Sequence, residues 1–499
     1  MKSKLKIALV YPPYSDTERH AFYSLAYLIG GLKKSFANDN SVEFKLFDTV
    51  ATGMNYETLE KEILLYKPNI VGISIPFTVM LKPALKLIKS VREYLPNSWV
   101  VTGGTHATLC SEDLYKVADY TVLGEGVEPM TQIIEYYKQG KKGYNMNGVV
   151  YSKDGKMQRT IRVDTKKSND DKMGSPDWSD LDLEEFFIPL AFDDENLKKG
   201  FGIFTSKGCP YNCSYCSNQL LWDRRVIYRD LQEVAEEIKY FQKKYKLNNF
   251  ILEDDIFTIR KERLHEFCEM LVKHNLKINW RFQTRPNIMP DLETLKKAKN
   301  HGCKVVGMGI EGGNEKILQI NQTTSKKDII AAVGRVKAAG LKAYAGFIIG
   351  FPEDTIETVW DTIRFPDELN IDSPGFQLMV PYPATAVRKK AEKDGGILTN
   401  DYNKYSTYDV VYCAPGLRGY DLKEIRKFAY RYFHTRTEER LEKFLRRYHK
   451  SPDYESVKEV YTEAFKNKER YNFDYLKSLI YLKDKTLSKN ITTSKRLPL

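Results

Sequence analysis

The stretch Lys207-Gly208-Cys209-Pro210-Tyr211-Asn212-Cys213-Ser214-Tyr215-Cys216 carries three cysteines with the spacing Cys-x3-Cys-x2-Cys. Iron–sulfur clusters are usually held by four cysteine thiolates. Three thiolates on one short loop therefore indicate a 4Fe–4S cluster with one iron open to another ligand. A structural zinc loop is the alternative, but such a site takes four ligands, and the other cysteines are distant in sequence. We predict that Cys209, Cys213 and Cys216 bind the metal and carry the chemistry.

The cysteine loop directly follows the first strand of a series in which short apolar strands alternate with helical segments. Six such units predict a partial (βα)6, TIM-like barrel, whose chemistry belongs at the carboxyl ends of its strands. The predicted strands are Gly202–Thr205, Asn249–Leu252, Asn279–Phe282, Lys304–Met308, Leu341–Ile348 and Gly375–Leu378.

The first 140 or so residues show the same alternation in a separate series. Regular βα alternation predicts a parallel sheet covered by helices on both faces, here a doubly wound, flavodoxin- or Rossmann-like α/β domain. Ligands of such folds lie at the carboxyl ends of the strands, where polar and glycine-rich turns follow in this sequence. The predicted strands are Ile7–Val10, Glu43–Phe47, Ile70–Ile75, Ser98–Val101 and Tyr120–Val122.

We expect four parts along the chain. Residues 1–146 form the first α/β domain, residues 147–195 a hairpin and linker, residues 196–390 the barrel, and residues 391–499 a helical C-terminal domain.

Composition narrows the class of protein. The chain has 499 residues, of which 42% are hydrophobic and 12% aromatic, as in a folded protein of several domains. We expect no transmembrane segment, because no run of about 18 apolar residues occurs, and no secretory signal. Seven cysteines, three of them clustered, favour a reducing, cytoplasmic location. The net charge of +12 is concentrated in Arg436–Lys450 and Lys483–Arg496, where a solvated surface is a more common explanation than nucleic acid or a membrane surface.

The cysteine loop resembles that of the radical S-adenosylmethionine (SAM) superfamily. Two later segments strengthen the resemblance. The fourth strand leads into Gly309-Ile310-Glu311-Gly312-Gly313, and the fifth strand carries Gly346-Phe347-Ile348-Ile349-Gly350-Phe351-Pro352-Glu353. In that family the open iron chelates SAM, and an electron from the cluster breaks a C–S bond to release a 5′-deoxyadenosyl radical. The resemblance implies a 4Fe–4S cluster and SAM as cofactors.

The resemblance also implies residues that contact SAM. The family has a polar or acidic motif after the second strand, where an acid can bind the SAM ammonium group. An acidic run is also a common helix N-cap. Arg285 could equally be a surface arginine, and Tyr215 an ordinary packing residue of the loop. The implied SAM contacts are Tyr215, Glu253, Asp254, Arg285, Glu311, Gly346, Ile348 and Gly350.

The first domain resembles the cobalamin-binding domain fused to one large radical SAM class. The runs Val101–His106 and Asp119–Gly126 carry this resemblance, and their glycines would let the backbone approach the corrin. The alternative is a flavodoxin-like domain without a ligand, because a fold alone does not fix its ligand. The implied cobalamin contacts are Pro13, Ser74, Thr78, Gly103, Gly104, Thr105, Gly124, Glu125 and Gly126.

One position departs from the base-off cobalamin motif Asp-x-His-x-x-Gly. Asp48 and Gly53 keep the spacing, but Val50 stands at the histidine position. Valine cannot coordinate cobalt, so we expect any bound cobalamin to lack a histidine ligand from this loop.

The resemblance as a whole is to cobalamin-dependent radical SAM enzymes of the class B methyltransferase type. It implies methylation of an unactivated carbon or phosphorus centre in a small-molecule or peptide substrate, with an external electron donor of the flavodoxin or ferredoxin type. Cyclisation, ring contraction or oxidation without net methyl transfer are open alternatives, as are an RNA-modifying radical SAM enzyme and a non-catalytic cobalamin-binding protein. We do not expect a nucleic-acid partner, because the chain lacks an additional N-terminal cysteine triplet and an evident RNA-binding barrel.

Overall fold

The computed structural model describes residues 4–13, 23–162, 173–179, 181, 183–191, 194–449 and 451–480. They form a seven-stranded sheet, a six-stranded sheet, a two-stranded ribbon and a C-terminal group of helices. Within these ranges, no helix combines the length and the apolar character needed to cross a membrane.

The first sheet has the strand order β2-β1-β3-β4-β5-β6-β7. Its first five strands are parallel, in the order 2-1-3-4-5 of flavodoxin-like folds, which confirms the predicted doubly wound sheet. The hairpin β6–β7 pairs antiparallel with β5, so the sheet continues past residue 146, where we expected the domain to end. The strands are β1 (Leu5–Tyr11), β2 (Val42–Asp48), β3 (Ile70–Ser74), β4 (Trp99–Gly103), β5 (Tyr120–Val122), β6 (Val149–Lys153) and β7 (Lys156–Arg159).

Helices cover this sheet because its central strands are apolar on both faces. All five residues of β3 are buried, as expected for a parallel strand between two helical layers. The helices are α1 (Tyr23–Ser35), α2 (Thr49–Thr52), α3 (Tyr56–Tyr66), α4 (Leu81–Tyr94), α5 (Thr105–Leu109) and α6 (Val127–Lys138).

The second sheet is the predicted partial barrel. Its six strands are all parallel and follow one another in chain order, β8-β11-β12-β13-β14-β15, while β9 and β10 form a short antiparallel ribbon. The strands are β8 (Phe201–Ile203), β9 (Ser206–Lys207), β10 (Ile227–Tyr228), β11 (Asn249–Leu252), β12 (Asn279–Thr284), β13 (Cys303–Glu311), β14 (Lys342–Ile349) and β15 (Ser373–Leu378).

The barrel strands have a packed outer face and an accessible inner face. In β14, Ala343, Ala345, Phe347 and Ile349 are buried in the core with the surrounding helices, whereas the intervening residues are partly exposed. The helices are α7 (Asn218–Trp222), α8 (Leu231–Tyr245), α9 (Glu262–Lys273), α10 (Leu292–Asn300), α11 (Glu315–Ile320), α12 (Lys326–Ala338), α13 (Ile356–Glu368) and α14 (Ala386–Lys393).

The C-terminal region is helical, as predicted, and closes the far edge of the barrel. The backbone N–H of Phe376 in β15 donates to the Tyr430 hydroxyl at 2.9 Å, and the Arg426 Nε donates to the Phe376 carbonyl at 2.8 Å. The basic run Lys483–Arg496 lies outside the described residues. The helices are α15 (Leu422–His434), α16 (Glu438–Tyr448), α17 (Tyr454–Lys466) and α18 (Phe473–Ser478).

Candidate functional site

The cysteine loop leaves the first barrel strand through a turn that only glycine accepts readily. Gly208 has a φ of +92°, and a Cβ there would lie 2.2 Å from the Arg225 carbonyl oxygen. Its N–H donates to the Asp255 carboxylate at 2.8 Å. The turn thus fixes where the loop starts, directly above the strand ends.

The middle of the loop is held by the chain that follows α11. The Ser214 Oγ donates to the Asn321 Oδ1 at 2.6 Å, and the Ser214 backbone N–H donates to the Asn321 carbonyl at 3.4 Å. Ser214 also accepts a backbone hydrogen bond from Val387 at 3.1 Å. Two distant segments therefore fix the conformation of a loop with little regular structure of its own. Sequence reasoning missed Asn321, which no local motif distinguishes.

The three cysteines fit a metal cluster. They are free thiols on one loop, and Cys213 is buried. The pKa of the Cys216 thiol is raised to about 12, chiefly by burial and to a smaller extent by the neighbouring Cys213 and Cys209. Burial also raises the pKa of Cys209. Cysteine thiols lose their protons when they bind a metal, and no fourth cysteine completes the set on this loop.

The acids after β11 separate into different roles. Asp254 is 2% exposed, and its carboxylate accepts hydrogen bonds from the Thr205 N–H, the Thr205 Oγ1 and the Ser206 Oγ, each at 2.6 Å. It therefore fixes the end of β8, and its oxygens face the chain rather than a ligand. Asp255 holds the turn at Gly208, and Glu253 lies across Gly202, whose Cβ would be 2.7 Å from the Glu253 Cγ. Helix α9 begins only at Glu262, so these acids do not cap it.

Glu311 occupies an unusual backbone position at the end of β13. Its φ is +71°, at a break in the register between β13 and β14. The carboxylate folds back over Gly309, where a Cβ would lie 2.4 Å from the Glu311 Oε1. Burial raises the pKa of Glu311 to about 7, while a hydrogen bond from Tyr215 and the charge of Arg285 oppose the rise. The structure thus brings Tyr215 and Glu311 together, and both were predicted as SAM contacts.

The end of β14 turns sharply at Gly350, whose φ is +101°. The Asp354 carboxylate accepts hydrogen bonds from the N–H groups of Gly350 at 2.9 Å and Phe351 at 2.8 Å, and burial raises its pKa to about 6. Gly346 and Ile348 lie on the inner face of the same strand. A Cβ at Gly346 would meet nothing within 4 Å, so the barrel interior is open at this point.

Arg285 reaches the cysteine loop. Its Nη1 donates to the Cys213 Sγ at 2.9 Å, its Nη2 donates to the Thr323 carbonyl at 2.5 Å, and its guanidinium carbon lies 3.9 Å from the Tyr211 ring centroid. Arg285 is therefore not a surface arginine without partners, because its guanidinium contacts the cysteine loop and the segment after α11.

The residues expected to contact cobalamin lie at the carboxyl ends of the first sheet. Ser74 and Gly103 end β3 and β4, Pro13 follows β1, and the remaining residues form the turns that follow β3, β4 and β5. Gly104 has a φ of +98°, and a Cβ there would lie 2.8 Å from the carbonyl of Ile75. The remaining residues are Thr78, Gly104, Thr105, Gly124, Glu125 and Gly126.

Hydrogen bonds within the domain fix two of these turns. The Thr78 Oγ1 lies 3.3 Å from the Nδ1 of the buried His106, and the Gly124 N–H donates to the Thr108 Oγ1 at 3.0 Å. The turns that follow β3, β4 and β5 are therefore tied to α5 and to one another.

These turns face the barrel across a direct domain contact. The Lys207 Nζ lies 2.7 Å from the Glu125 Oε1, and the Arg162 Nη1 donates to the Leu220 carbonyl at 2.5 Å. Lys207 precedes the first cysteine, and Leu220 belongs to α7, which follows the last one. The start of the cysteine loop is therefore in contact with the first domain, and the helix after the loop is in contact with the segment that follows the hairpin. Lys207 and Arg162 were missed from the sequence, because nothing local marks their partners.

The fold and the site together define an α/β protein with a three-cysteine loop at the mouth of a partial barrel and a second α/β domain beside it. Residues 203–365 match the model of the Radical SAM superfamily, and residues 35–134 match that of the B12 binding domain. The chain accordingly carries a radical SAM domain and a B12 binding domain, and these domains imply a 4Fe–4S cluster, SAM and cobalamin as cofactors.

Relatives share most of the chain's length. An uncharacterized methyltransferase of Pyrococcus horikoshii is 28% identical over 87% of this chain and 93% of that protein. The anaerobic magnesium-protoporphyrin IX monomethyl ester cyclase of Rubrivivax gelatinosus is 29% identical over 77% of this chain and 68% of that protein. The structure of the cobalamin-dependent SAM radical enzyme OxsB, with aqua-cobalamin and SAM bound, is 16% identical, covers 94% of this chain and 72% of that chain, and has a TM-score of 0.71. This similarity shows a shared fold.

Proposed function

We propose that the protein is a cobalamin-dependent radical SAM methyltransferase that methylates an unactivated carbon or phosphorus centre. The observation that carries this function is the contact between the carboxyl ends of the strands of the first sheet and those of the barrel sheet. The Lys207–Glu125 ion pair joins a turn of the B12 binding domain to the start of the cysteine loop, and Arg162, which follows the hairpin β6–β7, donates to Leu220 of α7. A radical generator and a methyl carrier have to meet at one substrate, and this arrangement supports that requirement.

Within this proposal Cys209, Cys213 and Cys216 hold the cluster, and the strand ends hold SAM. Bound together, the cluster and SAM supply a 5′-deoxyadenosyl radical, while cobalamin supplies the methyl group. The chain's own residues bind and orient these groups. We assign Glu311 and Tyr215 to one end of SAM, because they are joined by a hydrogen bond at the mouth of the barrel.

Further SAM contacts are assigned along the accessible face of β14 and at the end of β11. Gly346 and Ile348 offer an open surface to the adenine, and Gly350 turns the backbone beyond it. Of the acids after β11, we assign Glu253 to the SAM ammonium group. The Asp254 carboxylate is occupied by Thr205 and Ser206.

For the first domain, we propose that the turn residues after β1, β3, β4 and β5 hold cobalamin without a histidine ligand from the loop after β2. Asp48 is buried at the end of β2, and Val50 lies in the short helix α2 where the base-off motif has histidine. The assigned domain comprises residues 1–146 together with the hairpin that extends its sheet. Residues 196–390 are assigned to the radical SAM domain.

We propose a small-molecule or peptide substrate and an external electron donor of the flavodoxin or ferredoxin type. The interior of the barrel at Gly346 has room for part of such a substrate or of SAM. The 29%-identical cyclase relative favours one second candidate, a ring-forming radical reaction on the same architecture without net methyl transfer.

The test begins with anaerobic reconstitution and a measurement of iron, sulfide and cobalt per chain. The loaded protein is reduced and incubated with SAM that carries a deuterated methyl group. We expect both 5′-deoxyadenosine and deuterated methylcobalamin, detected by mass spectrometry without knowledge of the substrate. A triple Cys209/Cys213/Cys216→Ala variant should release no 5′-deoxyadenosine.

The other outcomes separate the alternatives. Release of 5′-deoxyadenosine without methylcobalamin would favour the ring-forming reaction, and iron without cobalt would indicate a cobalamin-free radical enzyme. Cobalt uptake without 5′-deoxyadenosine would indicate a cobalamin-binding protein without catalysis. Each of these results would overturn the methyltransferase proposal.

A further inference from the structure

Arg285 is held beside one cysteine of the loop by contacts on three sides. Its Nη1 lies 2.9 Å from the Cys213 Sγ, its Nη2 donates to the Thr323 carbonyl at 2.5 Å, and its guanidinium stacks 3.9 Å from the Tyr211 ring centroid. Cys213 is the most enclosed of the three, at 7% exposed. The positive charge is therefore fixed in a partly desolvated place, next to a sulfur that the proposed function assigns to the cluster.

The potential of an iron–sulfur cluster depends on its net charge, on hydrogen bonds to its sulfurs and on solvent exposure. A cysteine sulfur bound to iron still accepts hydrogen bonds from the groups around it. An arginine side chain supplies a fixed positive charge with a planar set of N–H donors. Reduction adds one negative charge to the cluster, so a nearby fixed cation stabilises the reduced state and raises the reduction potential.

We propose that Arg285 raises the reduction potential of the cluster through its charge and its hydrogen bond to Cys213. This inference rests on the proposed function, since it requires Cys213 to be a ligand. It gives Arg285 a role in electron acceptance that a SAM contact alone would not give.

The charges around the loop are unevenly distributed, which makes the placement of Arg285 specific. The Asp255 carboxylate lies beside both ends of the loop, where it accepts hydrogen bonds from the Gly208 N–H at 2.8 Å and from the Asn218 side-chain amide. A negative charge there opposes reduction, whereas Arg285 favours it from the side of Cys213. Removal of the cation should leave the opposing charge of Asp255 uncompensated.

A purely structural role is the competing explanation, because Arg285 also ties the loop to Thr323. The chain offers matched controls for that role. Ser214→Ala removes the 2.6 Å hydrogen bond to Asn321 without changing the charge near the sulfurs. Arg224→Gln removes a different cation, which follows α7 and contacts the same loop: its Nε donates to the Pro210 carbonyl at 3.0 Å.

The experiment is a redox titration of the reconstituted full chain, followed by the electron paramagnetic resonance signal of the reduced cluster. For Arg285→Gln we expect a more negative midpoint potential. At the wild-type midpoint the ratio of reduced to oxidised cluster should fall about tenfold, which is about 59 mV for a one-electron couple. Arg285→Lys keeps a charge but loses the fork and the stacking, so its shift should have the same sign and be smaller.

Ser214→Ala and Arg224→Gln should keep the wild-type potential even where they lower the yield of cluster. If Arg285→Gln does not retain a cluster, the midpoint potential of Arg285→Lys is used instead, and it should again be more negative than that of the wild type. The inference would be overturned if the measured Arg285 variant had the wild-type midpoint potential. It would also be overturned if Ser214→Ala shifted the midpoint potential by the same amount. A wild-type chain that takes up no 4Fe–4S cluster would instead contradict the proposed function.

Discussion

The Lys207 ammonium lies 2.7 Å from the Glu125 carboxylate and 4.9 Å from the centre of the Trp222 ring. Glu125 belongs to a turn of the B12 binding domain, and Lys207 is two residues before the first cysteine. The side chains are 15% and 36% exposed. One ion pair thus links the turn assigned to cobalamin with the loop assigned to the cluster, and Trp222 joins α7 to the same contact.

Loss of this pair should loosen the segment that follows the cysteines. Glu125→Gln and Lys207→Met each remove a partly buried ion pair worth about 0.5–1 kcal/mol. Since amide exchange reports local opening, we expect hydrogen exchange in residues 218–222 to become about two- to fivefold faster in either variant. The double variant should differ little from each single one, because both remove the same interaction.

The matched control is the pair Lys296–Glu293, whose side chains are 48% and 81% exposed. Glu293→Gln should leave exchange in residues 218–222 at the wild-type rate. Unchanged exchange in Glu125→Gln would show that the pair does not hold the two domains together.

Gly346 offers a test of the SAM site that separates binding from folding. A Cβ there would meet nothing within 4 Å, and the residue lies on the inner face of β14. Gly346→Val should therefore leave the melting temperature near wild type and yet weaken SAM binding about tenfold or more, because the side chain fills space assigned to the adenine. Equilibrium dialysis of SAM with the reconstituted protein measures the effect.

Gly334→Val is the control, since a Cβ at this exposed position of α12 also meets nothing within 4 Å. It should change neither the fold nor SAM binding. If Gly346→Val bound SAM with wild-type affinity, the assignment of the adenine to this strand would be wrong.

The positions of the strands could be read from the sequence because apolar runs and glycine turns mark them locally. Asn249–Leu252 and Tyr120–Val122 were predicted with the bounds that the structure has, and the other barrel strands differ by one to three residues at their ends. The cysteine loop and Glu311 became candidates for a similar reason, since spacing within a short segment marks them.

Side-chain partners could not be read in this way, because they depend on segments that are distant in the chain. Asp254 is one of three adjacent acids, and only the folded chain shows that Thr205 and Ser206 occupy its oxygens. Arg285 lies 72 residues from Cys213 in the sequence. The hairpin was expected outside the first domain because its pairing with β5 has no local signal.

The three cysteines should be separable from the other four by metal content alone. Single Cys209→Ala, Cys213→Ala and Cys216→Ala variants should lose most of the iron and sulfide after reconstitution, because two thiolates cannot hold a cubane. Cys413→Ala is the control: this thiol lies in the C-terminal region and is partly exposed. It should retain wild-type iron and 5′-deoxyadenosine release, and equal loss of iron in this control would contradict the ligand assignment.

Glu311 should make stability depend on pH in a defined direction. Burial raises its pKa in the folded chain from the ordinary 4.5 to about 7, so the folded chain binds this proton more tightly than the unfolded chain. The resulting stabilisation is fully present below about pH 4.5 and is lost as the pH rises through about 7. Glu311→Gln cannot ionise, so relative to this variant the wild-type free energy of unfolding should fall by about 2–3 kcal/mol between pH 4.5 and 8.

Urea unfolding of the cluster-free protein at several pH values measures this difference, and effects of other buried acids cancel because both chains contain them. Tyr215→Phe supplies an internal check. The Tyr215 hydrogen bond lowers the pKa of Glu311, so its removal should move the loss of stability to higher pH. A difference between wild type and Glu311→Gln that stays constant with pH would mean that Glu311 titrates as an ordinary surface acid, and its assignment to an enclosed SAM site would then fail.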